Sequence, residues 1–273
     1  MGRAGSRRPS RWPLEDFQCP VAVYRERMST PWHGSDELEL VVDLPAHDAA
    51  AELDRGLTLL REVAQGTRPA TLRLYRPSST VAFGQRDARL PGYDRAREAS
   101  LAHGFQPLIR RAGGRAAAYH SGCIVVDHVE PARDGVAGTR RRFAAFGDFF
   151  AGVLTGIGAD AGVGEVPGEY CAGEFSVHGR RDRVPTLKLV GTAQRVVAGA
   201  WLFSSVLVVE RSASLRSVLT EVYAALDIPW RPATAGAVED LVPGVGVDDV
   251  EAALLAAYRT AVQLRTSESS GVP

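Results

Sequence analysis

Short segments of alternating polarity occur in groups along this chain, with helical segments placed irregularly between them. That arrangement constrains the fold more than any other feature. Thr71-Leu72-Arg73-Leu74-Tyr75 alternates as a half-buried strand, and Pro77-Ser78-Ser79 turns the chain into a second one at Val81-Ala82-Phe83. Residues 37–43 alternate in part. Further strand candidates are 106–110, 116–119, 124–128, 174–177, 187–190, 193–197 and 201–209. Helical apolar spacing covers 48–64, with Asp48 as N-cap, 93–103, ended by Gly104, 141–157, 215–226 and 248–264. A doubly wound or barrel sheet needs strand and helix in regular alternation, which is missing. The expected class is α+β, a mixed β-sheet with flanking helices.

A length of 273 residues suits one large domain or two small ones. No internal repeat or linker divides it. The expectation is one domain over 36–265, with an irregular lead-in at 1–35 and a disordered tail at 266–273. A formal net charge of zero argues against a nucleic-acid partner. The arginine clusters, Arg110-Arg111, Arg140-Arg141-Arg142 and Arg180-Arg181 with Arg183, fit solvated faces better than a docking patch. The longest apolar run, 198–209, is too short for a membrane span and contains Ser204 and Ser205. The basic N-terminus has no apolar core of a secretory signal. Cys19, Cys123 and Cys171 make no disulfide framework, which fits a reducing cytoplasm.

Three segments carry chemistry. In Arg110-Arg111-Ala112-Gly113-Gly114-Arg115 the paired glycines let backbone N–H groups approach a ligand, and the arginines can hold an anionic or carbonyl group. A plain turn would look similar. In Pro167-Gly168-Glu169-Tyr170-Cys171-Ala172-Gly173-Glu174-Phe175-Ser176 a cysteine between glycines, in a loop before a strand, can be exposed enough to act as a nucleophile, whereas buried cysteines are usually inert. Cys123 opens an apolar strand and ranks lower. The third segment holds Lys188, the one lysine among 32 basic residues. Where charge alone serves, this chain writes Arg, so a retained lysine suggests a need for a compact ammonium, the alternative being a codon-composition effect that left one lysine by accident. If Cys171 and Lys188 sit on paired neighbouring strands, the ammonium can stabilise a thiolate.

Taken in order, these segments resemble the lipoate–protein ligase and octanoyltransferase superfamily. The resemblance rests on Arg110-Arg111-Ala112-Gly113-Gly114 followed by His120, and on Lys188-Leu189-Val190-Gly191-Thr192-Ala193-Gln194, and covers roughly residues 36–230. Tyr170-Cys171-Ala172-Gly173-Glu174-Phe175 is most similar to the cysteine-dependent amidotransferases of that superfamily. Three features depart from the pattern: the Arg110–Gly114 motif is one residue shorter, Ser121 follows His120, and Ala198-Gly199-Ala200-Trp201 follows the lysine strand.

The resemblance implies a biotin/lipoate protein ligase-like catalytic domain that needs no metal and no cofactor. It implies transfer of an octanoyl or lipoyl group from glycine-cleavage H protein or acyl carrier protein to the acceptor lysine of lipoyl domains of 2-oxoacid dehydrogenases. Cys171 would form an acyl thioester, and Lys188 would hold the thiolate or polarise the carbonyl. Arg110, Arg111, Gly113, Gly114, His120, Gly191, Ala193 and Gln194 would bind substrate. Two other readings keep the same scaffold. One is an ATP-dependent lipoate ligase, disfavoured because no Asn-Asp pair lies between Pro167 and Lys188. The other is a non-catalytic module that binds lipoyl domains.

Overall fold

The computed structural model describes residues 35–43 and 48–266. Its main feature is an eight-stranded mixed sheet. The strands are β1 (Glu37–Asp43), β2 (Thr71–Tyr75), β6 (Cys123–Ala132), β7 (Asp160–Val163), β8 (Val177–Arg181), β9 (Val184–Val197), β10 (Gly199–Val208) and β11 (Gln263–Thr266). Their spatial order is β11-β1-β2-β6-β10-β9-β8-β7. The β11–β1 and β1–β2 pairs are parallel and the others antiparallel. A second sheet of three strands is built from β3 (Thr80–Phe83), β4 (Gln106–Ile109) and β5 (Ala117–Tyr119), with β3 central.

Both faces of the large sheet are covered. Helices α3 (Thr139–Gly156) and α6 (Val247–Ala261) pack on one face through an aromatic core, where Phe146 stacks on Phe203 at 4.3 Å and Phe149 meets Tyr258 edge-on at 4.8 Å. Helix α1 (Ala49–Ala64) lies on the other face, burying Leu59, Leu60 and Val63 against Val129, Ala200 and Leu202. Its N-cap is Asp48, whose Oδ1 accepts from the Ala50 and Ala51 N–H groups. Coverage on both faces is why all five β2 residues are buried, the polar Thr71 and Arg73 included. Helices α2 (Tyr93–Ala102) and α4 (Ser212–Ala225) close the small sheet, and a single helical turn, α5, spans Val238–Leu241.

The α+β class and flanking helices are as expected, and several boundaries are not. The last helix, expected to run to 264, ends at Ala261. The chain then extends along β1, pairing Leu264 with Leu38 and Arg265 with Glu39. The β1 edge offers unpaired N–H and C=O groups, and pairing them outweighs a further helical turn. Thr266, expected in the tail, is therefore a strand residue. The segments 187–190 and 193–197 are one strand, β9, because Gly191 stays in register with Val206 of β10. The strand expected at 174–177 begins only at Val177, since the Ser176 N–H turns back to the Gly173 carbonyl. Strand β7 was not anticipated. The expected lead-in, Ser35 apart, lies outside the described residues, as do residues 267–273.

Candidate active site

Cys171 sits in the loop that precedes β8, not on a strand, and the β9 residue Lys188 pairs instead with His178. Its backbone is left-handed at φ 43°, a conformation that costs a side-chain-bearing residue energy and persists only where neighbours enforce it. Two contacts do so. The Cys171 N–H donates to Tyr223 Oη (2.8 Å), whose O–H in turn donates to the Ala116 carbonyl (2.9 Å), and the Cys171 carbonyl accepts from Lys188 Nζ (2.9 Å). The thiol is half-buried and receives the Arg115 backbone N–H at 3.2 Å and Arg110 Nη2 at 3.4 Å.

Gly114 makes this approach possible. Its φ of +105° disfavours any side chain, and a Cβ there would stand 2.8 Å from Cys171 Sγ. Gly113 faces open space, so only the second glycine of the pair is sterically required. Arg115 is held in turn by Asp87, whose Oδ1 accepts from Nη1 at 2.9 Å and whose Oδ2 accepts the Gly84 N–H.

Lys188 is 2% exposed, and its hydrogen bonds go to the carbonyls of Tyr170 (3.0 Å) and Cys171 rather than to the thiol. The remaining charge is met by Glu169 Oε2 at 3.0 Å, a Coulombic contact without hydrogen-bond alignment. The Tyr170 ring lies 4.8 Å from the ammonium. Glu169 Oε1 accepts from the Val166 and Gly173 N–H groups and from Ser176 Oγ, tying together both ends of the cysteine loop. Glu169 and Tyr223 were not anticipated. A carboxylate two positions before the cysteine, in a chain with one lysine, was the available signal for the first; Tyr223 gave none, since its role depends on long-range packing of α4.

A cavity of about 70 Å³ extends from Arg110, Arg111 and Gly191 between α1 and the sheet. Leu53 and Leu57 of α1, Tyr75, Tyr119, Val125, Leu202 and Val206 give it apolar walls, and Ala193 also lines it. Burial, followed by the Asp127 charge, pushes the Tyr75 phenol well above its ordinary value, so it stays neutral.

Two expected substrate residues lie elsewhere. Gln194 points to the opposite face of the sheet, as strand alternation from Ala193 requires. With its amide oxygen toward Arg142 it accepts from Nε at 2.7 Å and Nη2 at 2.6 Å. His120 is buried and serves a turn: Nδ1 accepts the Gly122 N–H at 2.9 Å, leaving Nε2–H to meet the Arg211 carbonyl at 3.3 Å. Burial lowers its pKa. Cys123 is fully buried, and burial pushes its thiol up to about 12. Among the described residues no cluster of three or more His, Cys, Asp or Glu is placed to hold a metal ion, and no helix is long and apolar enough to cross a membrane.

A mixed sheet flanked by helices, with a cavity headed by an arginine–glycine turn, is the framework on which these residues are set. Residues 48–259 match the family described as the lipoyl protein ligase A/B catalytic domain, and the chain belongs to that family. It is 35% identical over 172 residues to an octanoyl-[GcvH]:protein N-octanoyltransferase of Exiguobacterium sibiricum, covering 62% of this chain and 59% of the relative. A protein of the same name from Geobacillus kaustophilus is 27% identical over 177 residues, 64% of this chain and 60% of its own. A lipoyl-[GcvH]:protein N-lipoyltransferase of Listeria monocytogenes is 28% identical over 181 residues, with coverage of 64% and 61%. The matched region thus spans about 60% of the length of these relatives. Among solved structures the fold is similar to lipoate–protein ligase A bound with ATP (TM-score 0.66, 19% identity, 86% of this chain and 90% of that one). It is also similar to the archaeal bipartite lipoate protein ligase of Thermoplasma acidophilum (TM-score 0.64, 20% identity, 85% and 86%).

Proposed function

We propose that this protein is an acyltransferase that moves an octanoyl or lipoyl group from a carrier protein to the acceptor lysine of a lipoyl domain, through a thioester on Cys171. One observation carries the reading: a half-buried thiol, held in a left-handed backbone, receives two N–H donors, one of them from an arginine that also lines an apolar cavity. The names of the relatives point to GcvH, the glycine-cleavage H protein, as the donor carrier.

In the first step the Cys171 sulfur attacks the acyl carbonyl, the bond to the carrier's nitrogen breaks, and that amine leaves with a proton. In the second, the acceptor lysine amine attacks the thioester, an amide forms and the thiol is restored. Dividing the transfer lets two protein substrates use one site in turn. The Arg115 N–H and the Arg110 guanidinium stabilise the sulfur anion and, from the same side, the oxyanion of each tetrahedral intermediate. Lys188 acts one step removed. By gripping the carbonyls of Tyr170 and Cys171 it sets the direction of the sulfur, and Glu169 balances its charge. Burying an eight-carbon chain contributes roughly 0.8 kcal/mol per methylene.

Intact-mass spectrometry after incubation with octanoyl-H-protein tests the reading, with octanoyl acyl carrier protein and free octanoate plus ATP as parallel donors. The expected result is an acyl adduct mapped to Cys171 and discharged by an apo-lipoyl domain. Full transfer by Cys171→Ser, or product formed only from free acid with ATP, overturns it.

A further inference from the structure

Past the arginine–glycine turn the cavity is not lined by apolar residues alone. Strand register orders that lining. Gly191 of β9 and Val125 of β6 both pair with Val206 of β10, whereas Ala193 and Asp127 pair with Ser204, two residues along. Lys188, which grips the cysteine loop, lies in the other direction on β9, about 16 Å from the Ala193 level at strand rise. Asp127 and Ser204 are therefore cross-strand neighbours lining the cavity on the side away from the thiol, with Leu202 of β10 one step beyond them.

Their hydrogen-bonding capacity is only partly used. Asp127 is 4% exposed, and Arg73 Nη1, at 3.0 Å from Oδ2, is the one donor to its side chain among the described residues. Ser204 Oγ has no partner among them. Arg73 is fixed independently by Asp43 (2.6 Å) and the Glu52 carbonyl (2.9 Å), so it holds the carboxylate from behind. Helix α1 makes room for this carboxylate: a Cβ at Gly56 would stand 2.9 Å from Asp127 Oδ2, and a mid-helix glycine is otherwise unfavourable. A hydrocarbon end pressed against Asp127 would strip water from an oxygen and return nothing.

Resting on the acyltransfer reading, we propose that Asp127 and Ser204 form a polar subsite selecting acyl chains that carry a hydrogen-bond donor, a hydroxyl or thiol, toward their distal end. Plain octanoyl is then a poorer fit than a hydroxylated or dithiol-bearing chain of equal length. The discrimination is of the kind a site makes when its buried polar groups would otherwise be left unpaired.

Isothermal titration of the full chain with octanoate, 6-hydroxyoctanoate and 8-hydroxyoctanoate tests this without requiring turnover. At least one hydroxy acid should bind roughly ten-fold more tightly than octanoate, the value of about one buried hydrogen bond. That advantage should vanish in Asp127→Leu and in Ser204→Val. Asp127→Leu also strips Arg73 of a buried partner, so Ser204→Val, which leaves that pair intact, is the second variant. Octanoate binding as tightly as both hydroxy acids, or an advantage that survives in both variants, overturns the subsite. Octanoyl transfer measured in parallel separates the two levels: transfer with no hydroxy preference removes the subsite alone. Failure to bind any acid, together with no transfer, removes the underlying reading as well.

Discussion

Lys188 Nζ lies 3.0 Å from Glu169 Oε2 with both side chains out of water, and the hydrogen bonds of the ammonium end on the carbonyls of Tyr170 and Cys171. The lone lysine is therefore a clamp on the cysteine loop, with its charge neutralised by a residue of that same loop. A guanidinium is longer and planar, and it cannot reach two adjacent carbonyls and a carboxylate from one atom. Lys188→Arg should fold yet lose about two orders of magnitude in acyl transfer, while Cys171 remains present and titratable by thiol reagents. Near-normal transfer by this variant would make the single lysine an accident of composition.

Breaking the pair from the other side isolates its energetic role. Glu169→Gln leaves a buried ammonium without its counter-charge, which typically costs about 3–5 kcal/mol. Replacing both members, Lys188→Met with Glu169→Gln, should recover much of that stability, because removing a whole buried pair costs far less than orphaning one charge. Transfer should not recover with it. Urea denaturation midpoints and transfer rates on the parent chain and these two variants check both halves of the expectation.

The left-handed backbone of Cys171 sets stability against function. Glycine adopts φ of 43° without the steric cost borne by a side chain, so Cys171→Gly should stabilise the fold by about 1 kcal/mol while abolishing the acyl adduct. Gly114→Ala should do the reverse damage. Its Cβ would meet the Cys171 sulfur and its φ of +105° resists any side chain, so both stability and transfer should fall. Thermal melts paired with adduct mass spectra distinguish the two.

Part of this arrangement is legible in the sequence. Arg110, Gly114 and Cys171 lie together because short motifs encode tight backbone approaches, and such approaches demand particular residues at particular spacings. Gln194 and His120 stand in the same motifs, yet a motif does not fix which way a side chain faces. Whether a strand residue faces a cavity or the opposite core depends on one step of alternation, and His120 hydrogen-bonds within its own turn. Arg73 and Asp127 were visible as charges inside apolar strands, but their pairing joins β2 to β6 across a long sequence separation. The last strand was missed for a related reason: Gln263–Thr266 has little intrinsic β pattern, and the vacant edge of β1 decides its conformation.

Thiol chemistry should separate the two described cysteines cleanly. Burial pushes the Cys123 thiol up to about 12, so at pH 7–8 it is neutral and inaccessible, whereas Cys171 is half-buried in a cationic setting. Iodoacetamide on the native protein should label Cys171 and spare Cys123, and prior acylation should block the labelling. The same shift has a stability consequence. A raised folded-state pKa means the native state holds its proton longer, so this contribution is intact below about pH 8.5 and is lost as pH climbs toward 12. Cys123→Ala should flatten the alkaline limb of the stability profile.

The acid limb is governed in part by His120, with the opposite sense. Burial lowers its folded-state pKa below the ordinary value of about 6.5, so the unfolded chain takes up a proton first as pH falls. Stability linked to this group is complete above about pH 6.5 and declines below it, because protonating Nδ1 would also remove the acceptor for the Gly122 N–H. His120→Asn can keep an acceptor for that N–H while removing the titration. It should fold and show a shallower loss of melting temperature between about pH 6.5 and 5 than the parent chain. An unchanged acid slope would mean that other groups carry the acid sensitivity of this fold.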